Sequence, residues 1–183
     1  MRWIGICWAL FLLPFLVNHL LVRSRRSALP PENRIHRAPA SDAGLFLQFL
    51  SLLIVFLFRS FERPSMLPAT VILCLSSAAF AAHALHDLGR HWRIQAVITD
   101  DHELITTGAY SVVRHPVYLA LLGMLAGTLL TTGTPLVTLV ALPLYLAGTE
   151  IRVRAEDGLL QASFPESFPA YAARVRGYLP FLR

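Results

Sequence analysis

Apolar residues run along this chain in five blocks separated by short polar segments. Residues 3–22, WIGICWALFLLPFLVNHLLV, carry no formal charge and have the length a helix needs to cross a bilayer. A second block covers 43–58 and stops at Arg59, Glu62, Arg63 and Pro64; a third covers 67–88 and stops at Arg90 and Arg93. After a polar interval, 117–131 and 136–149 are apolar again, with Thr132, Gly133, Thr134 and Pro135 as an uncharged turn between them. These two arms are short for independent spans, so the pattern predicts a helical hairpin crossing as a closely packed pair, helped by Gly123, Gly127 and Gly148.

From residue 150 onward the chain turns polar but keeps Leu159, Leu160, Phe164, Phe168, Tyr171, Val175, Leu179 and Phe181. That spacing predicts an amphipathic, partly helical tail under the hairpin, interrupted at Pro165, Pro169 and Pro180. The fold class that follows is an all-α integral membrane protein of about five transmembrane helices, the last two a hairpin, with a C-terminal helical tail.

Composition agrees with the pattern. With 55% hydrophobic and 15% charged residues over 183 positions, and a mean hydropathy of +0.56, the chain is too apolar for a soluble domain of this size. A signal peptide is the competing reading of the first block. No small-x-small cleavage site follows, and the run is too long for such a segment's apolar region, which leaves a retained first span.

All 16 basic residues are arginine, for a net charge of +5. They cluster at the ends of apolar runs, not along one soluble face interleaved with aromatics, which speaks for membrane topology and against a nucleic-acid partner. Arg23, Arg25, Arg26, Arg34 and Arg37 fill a loop that also holds Pro30, Pro31 and Pro39. On a five-span scheme 13 arginines share that loop's side and Arg2, Arg59 and Arg63 lie opposite. This predicts an amino terminus outside, with the C-terminus and the loop cytoplasmic. The arginine-only complement points to a GC-rich genome and a bacterial plasma membrane. Cys7 and Cys74 lie inside apolar runs without metal-ligand or CxxC spacing and read as small buried hydrophobes, with no disulfide and no metal site expected.

The polar interval holds the candidate chemistry. Residues 102–118, HELITTGAYSVVRHPVY, place two histidines, two tyrosines, an arginine, a glycine and a proline at the mouth of a membrane helix. Pro116 suits the first turn of the fourth helix, whose free amides and positive dipole end would face an anionic group. Arg152 and Glu156, four apart, project from one face of a helix continuing from the fifth block. Each feature alone has an ordinary reading: a cap with a snorkelling arginine, a surface ion pair, interfacial tyrosines. His83 and Asp87, also four apart, read foremost as a helix end entering the headgroups, with a polar pair or metal fragment as the alternative.

Order and spacing together carry more. Leu88-Gly89-Arg90, His102-x-Leu104, Gly108-x-Tyr110, Arg114-His115-Pro116-x-Tyr118, Arg152-x3-Glu156-Asp157, Leu160, Phe164, Tyr171, Arg174-Val175 and Leu179-Pro180 make the C-terminal half resemble the isoprenylcysteine carboxyl methyltransferase family, related to the membrane phospholipid methyltransferases. The resemblance divides the chain into 1–88, the N-terminal membrane helices with the arginine-rich loop, and 89–183, the methyltransferase core. It implies S-adenosyl-L-methionine as cofactor, held in a cytoplasmic pocket by Gln95, His102, Glu103, Leu104, Ile105, Tyr110, His115, Pro116, Val117, Tyr118 and Glu156. It further implies that Arg152 faces the methyl-accepting substrate, a lipophilic or prenylated acceptor entering from the bilayer. Positioning an acceptor carboxylate suits a guanidinium that never titrates. Transfer from a sulfonium donor needs alignment more than acid/base work, so no general base is expected.

The chain departs from the family pattern at Asp157, where a second Glu is usual, and at Ala109, Pro165 and Phe168. Three alternatives remain: a phospholipid amine N-methyltransferase, an NADPH-dependent sterol-type reductase sharing the RHPxY element, and a non-enzymatic membrane scaffold. Arg152 favours a carboxylate over an amine, and Arg114 with distant arginines is a poor site for a 2′-phosphate. No obligate protein partner is evident.

Overall fold

The computed structural model describes residues 2–26, 35–60, 63–89, 92, 97–99 and 103–179. Six helices account for most of them: α1 Arg2–Arg26, α2 Ala40–Leu57, α3 Leu67–Leu88, α4 Pro116–Thr132, α5 Pro135–Ser163 and α6 Ser167–Arg174. Segments in α1, α2, α3 and α5 are long and apolar enough to cross a membrane, and α4 is a shorter apolar helix of 17 residues. The protein is thus the all-α integral membrane protein that the hydropathy pattern predicts.

The helix ends follow local chemistry. Pro64 opens a 3-10 turn, Pro64–Met66, that leads into α3; Pro116 and Pro135 sit in the first turns of α4 and α5, where a missing N–H costs nothing. Gly133 ends α4, and the Thr134 hydroxyl caps α5 by accepting from the Val137 N–H at 3.2 Å. A second 3-10 turn covers Gly108–Ser111. The loops before α2 and after α3 are joined by a small antiparallel ribbon, β1 Ile35–Arg37 on β2 Val97–Thr99, with His36 opposite Ile98.

One reading from the pattern, the helix continuing past the fifth apolar block, is borne out, and one is corrected. The fifth apolar block and the start of the tail form one 29-residue helix, α5, about 43 Å long at 1.5 Å per residue. That exceeds a hydrocarbon core of about 30 Å, so the helix runs on beyond the core through the polar turns from Glu150 onward. Pro169 does not interrupt the tail, because it falls in the first turn of α6.

The hairpin forms, but its arms are not a tightly packed pair. Helix α5 packs chiefly on α2, α4 chiefly on α3, and α1 on α3, while α4 and α5 touch each other far less. The three glycines explain the difference. A Cβ on Gly127 would come within 2.6 Å of Cys74 Sγ, one on Gly123 would run into Ser77 Oγ, and one on Gly148 would lie 2.7 Å from the Gly44 carbonyl oxygen. They fit α4 to α3 and α5 to α2. Between the arms, Leu125 and Leu129 share a core with Val137, Ala141, Tyr145 and Val55 near the turn.

Helix α2 buries Ser41, Gly44, Gln48, Ser51 and Val55, alternate steps of three and four that form one narrow stripe. In lipid, small and polar residues of this kind bring helices together, since apolar side chains gain little by leaving an apolar solvent. Gln48 Nε2 donates to Thr149 Oγ1 at 2.9 Å and Ser51 Oγ to the Ala141 carbonyl at 2.7 Å. Thr70 and Thr131 hydrogen-bond through their hydroxyls across α3 and α4. Cys7 and Cys74 are buried in a core with Phe11, Ala78, Ala81, Ala120 and Met124, as expected of small hydrophobes.

Candidate functional site

The start of α4 and the extended end of α5 meet at one end of the bundle, and their charged residues interlock there. His115 precedes Pro116, and its ring lies between two carboxylates: Nε2 is 2.9 Å from Asp157 Oδ1 and Nδ1 is 3.2 Å from Glu156 Oε2. Burial alone would lower its pKa, but the hydrogen bonds and charges of Asp157 and Glu156 outweigh that and push it up to about 9. At neutral pH the ring is an imidazolium donating from both nitrogens, which rules it out as a resting general base.

The Tyr118 ring stacks on that of His115, with centroids 5.6 Å apart and planes 14° from parallel. Its hydroxyl donates to Glu156 Oε1 in a short hydrogen bond and accepts from Arg152 Nε at 2.7 Å. The Arg152 guanidinium is 5.3 Å from the Tyr118 ring centroid, and Nη2 donates to Glu156 Oε1 at 3.4 Å. Arg152 is only 4% exposed. Tyr145 Oη donates to the Tyr118 carbonyl at 2.8 Å and ties the two helices together just below this network.

Of the residues implicated by sequence, His115, Tyr118, Arg152 and Glu156 form this single cluster. Tyr110, Ile105 and Val117 meet in an adjoining apolar one with Ala84 and Ala109, and Pro116 is buried. Leu104 is half-buried and Glu103 is exposed. Gln95 and His102 lie outside the described residues. Burial, with the charge of Glu156 nearby, raises the Tyr110 hydroxyl far above its ordinary pKa, so it stays neutral; burial pushes Tyr171 up to about 12.

Sequence reasoning assigned no role to three residues that hold the site together. Asp157, read as part of the Arg152-x3-Glu156-Asp157 element with Asp where a family Glu is usual, binds both His115 and Arg114. Arg114 donates to Asp157 Oδ2 at 2.7 Å and to the carbonyls of Val175 at 2.5 Å and Ala172 at 3.3 Å, with its guanidinium 6.0 Å from the Phe168 ring centroid. Together with backbone bonds from Arg114 N–H to the Arg176 carbonyl and His115 N–H to the Gly177 carbonyl, at 2.7 and 2.9 Å, it straps the C-terminal segment onto the site. Asp87 is the third. Its Oδ2 accepts from the Ala109 N–H at 2.8 Å and anchors the turn carrying Tyr110, while His83 Nε2 lies 3.5 Å away. Gly108 in that turn has φ +59, and a Cβ there would run into the Asp87 carboxylate. Acid four residues after His83, at the end of an apolar run, was visible; the turn it caps was not.

Fold and cluster define a class: a helical multi-span membrane protein with a buried ion-pair network at one end of its bundle. Residues 70–162 match the model of the isoprenylcysteine carboxyl methyltransferase family, about half the chain, and the protein belongs to that family. Among curated relatives, the fission yeast Schizosaccharomyces pombe protein-S-isoprenylcysteine O-methyltransferase is 27% identical over 138 residues, 74% of this chain and 56% of its own. A probable protein-S-isoprenylcysteine O-methyltransferase of Oryza sativa subsp. indica is 32% identical over 83 residues, 45% of this chain and 44% of its own. The nickel-cobalt-cadmium resistance protein NccN of Alcaligenes xylosoxydans xylosoxydans is 38% identical over 81 residues, 44% of this chain and 37% of its own. The chain spans about half the length of the curated relatives it matches.

Proposed function

We propose that this protein is an S-adenosyl-L-methionine-dependent methyltransferase of a cytoplasmic membrane face, acting on a lipophilic acceptor by carboxyl O-methylation of an isoprenylcysteine-like group. The observation that carries the reading is the convergence of His115, Tyr118, Arg152, Glu156 and Asp157 from two helices into one network inside the family-matched region.

The donor set suits the cofactor. Glu156 keeps a side-chain exposure of 23% while its carboxylate is braced by His115, Tyr118 and Arg152. A braced, partly open carboxylate is a fit acceptor for hydroxyl or amino groups of a cationic nucleoside derivative. Tyr110 and Tyr118 would offer aromatic walls beside residues 115–117 at the start of α4; Gln95 and the 102–105 run would complete the binding set. When bound, the cofactor supplies an electrophilic methyl group on a sulfonium centre.

The protein's own contribution is positional. Arg152 carries a permanent charge at the membrane edge and orients the acceptor carboxylate, a nucleophile already ionised at neutral pH. His115, held as imidazolium, keeps Glu156 and Asp157 ionised and in place and abstracts no proton. Burial of the cluster keeps competing water away from the transferring group.

The test is calorimetric binding of S-adenosylhomocysteine to the detergent-purified protein beside His115→Ala and Glu156→Ala, followed by supply of prenylcysteine carboxylates and phospholipid amines with labelled donor. Binding by the parent protein, lost in both variants, and label on the carboxylate are expected. Full affinity in both variants would remove the site assignment, and label on the amine would move the protein to the phospholipid methyltransferases.

A further inference from the structure

Helix α2 lies outside the family-matched stretch, and nothing in the proposed chemistry assigns it a role. Yet it is the main support of α5, and the two helices approach closely beside Arg152. A Cβ built on Gly44 would stand 2.5 Å from the Gly148 carbonyl oxygen, 2.7 Å from Arg152 Cγ and 3.1 Å from Arg152 N. Gly148 answers in kind, since a Cβ there would stand 2.7 Å from the Gly44 carbonyl and 3.0 Å from the Gln48 N–H nitrogen. Two backbones meet here with no room for a methyl group on either.

We propose that Gly44 is a positioning residue for Arg152: its missing side chain is the space through which the arginine stem passes on its way to Tyr118 and Glu156. The proposal rests on the reading of Arg152 as the group that orients the acceptor. Its strength lies in what prevents α2 from yielding. One turn along from Gly44, the buried Gln48 amide is hydrogen-bonded to Thr149, and Ser51 is bonded to the Ala141 carbonyl, so register and distance are both pinned. Cγ is also near the root of the arginine side chain, where a shift swings the whole guanidinium rather than a free tip. A methyl at position 44 must therefore move the Gly148 carbonyl and the Arg152 stem together, and the Nε–H bond to Tyr118 with them.

The experiment compares Gly44→Ala with Ser51→Ala, which loosens the same interface two turns along α2 from Gly44. The first readout is the 15N–1H resonance of Arg152 Nε in the 183-residue chain without ligand, assigned with Arg152→Lys. Gly44→Ala is expected to move it and Ser51→Ala to leave it in place. The second readout is kinetic, with a prenylcysteine carboxylate as acceptor. Gly44→Ala should lower kcat/KM for that acceptor by about 10- to 100-fold, a larger loss than in S-adenosylhomocysteine affinity, because Arg152 orients the acceptor directly but is only one of three groups bracing Glu156.

An unmoved resonance, or equal kinetic losses in Gly44→Ala and Ser51→Ala, would overturn the proposal. A parent protein that neither binds S-adenosylhomocysteine nor transfers methyl would overturn the proposed function instead, leaving the resonance comparison to decide the steric claim. Should Gly44→Ala fail to fold, Gly44→Ala/Arg152→Ala removes the obstructing stem: recovery of the fold supports the proposal, and continued failure assigns the conflict to the α5 backbone and overturns it.

Discussion

A histidine with a carboxylate at each ring nitrogen can satisfy both only as the imidazolium, and this places His115 at the centre of the site's pH behaviour. Its folded pKa of about 9 lies above the ordinary value of 6.5, so the stabilisation it brings is fully present below pH about 6.5 and is lost as pH rises through about 9. The facing groups are Asp157 and Glu156 on α5, with Tyr118 stacked beside it. Thermal unfolding of the parent protein and His115→Gln should therefore differ by a few kcal/mol near pH 6 and converge towards pH 10. A constant gap across that range would mean that the ring is held neutral. Tyr118→Phe tests the other side of the network. It leaves Arg152 Nε and Glu156 without their shared hydroxyl and should destabilise by about 1–3 kcal/mol in the same assay. At this scale the sequence was informative where a motif constrains spacing: His115, Tyr118, Arg152 and Glu156 were all identified. It placed Asp157 and Arg114 in the motif but not their contacts, because Arg114's partners Val175 and Ala172 lie some 60 positions along the chain, beyond the reach of any local pattern.

Helices were legible because lipid imposes a length on apolar runs, and α3 begins and ends where hydropathy places it. The continuation of α5 into the polar tail was legible only through the four-residue spacing of Arg152 and Glu156, since a change of solvent alters composition without breaking a helix. What the glycines do was misread for a related reason. A small residue announces a close approach but not its partner, and Gly123 and Gly127 serve α3 rather than the sequence-adjacent arm. Their role predicts a specific pairwise effect. Gly127→Ala should destabilise the protein by about 1–3 kcal/mol through overpacking against Cys74, and Gly127→Ala/Cys74→Ala should regain most of that loss, because the sulfur is the obstructing atom. Additive losses in thermal unfolding would mean that α3 and α4 approach elsewhere. Gly108→Ala faces a different constraint, a left-handed backbone and the Asp87 carboxylate together. It should loosen the Tyr110 turn, read as faster hydrogen exchange at Ala109.

Taken whole, the molecule sets two helix pairs, α3 with α4 and α2 with α5, around a site built from the second member of each pair. The C-terminal segment then closes over their meeting point. Arg114 is what makes that closure specific, because its guanidinium joins Asp157 on α5 to the Val175 and Ala172 carbonyls, and backbone bonds from Arg114 and His115 continue the seam to Gly177. Tyr178 completes it by burying its ring against Tyr118 and Val153. The strap and the histidine are therefore one mechanical unit: freeing the segment removes the backbone acceptor of His115 and uncovers the carboxylates that set its charge. Arg114→Lys keeps the charge but cannot fork between a carboxylate and two carbonyls. It should leave membrane insertion and helix content unchanged while weakening S-adenosylhomocysteine binding by about tenfold. Ending the chain after Ser163 should weaken it at least as much and also accelerate exchange of the His115 amide. Equal affinity in the parent and both variants, with the bundle intact, would assign the C-terminal segment a covering role independent of the cofactor and place the binding determinants wholly on α4, α5 and the loop before them.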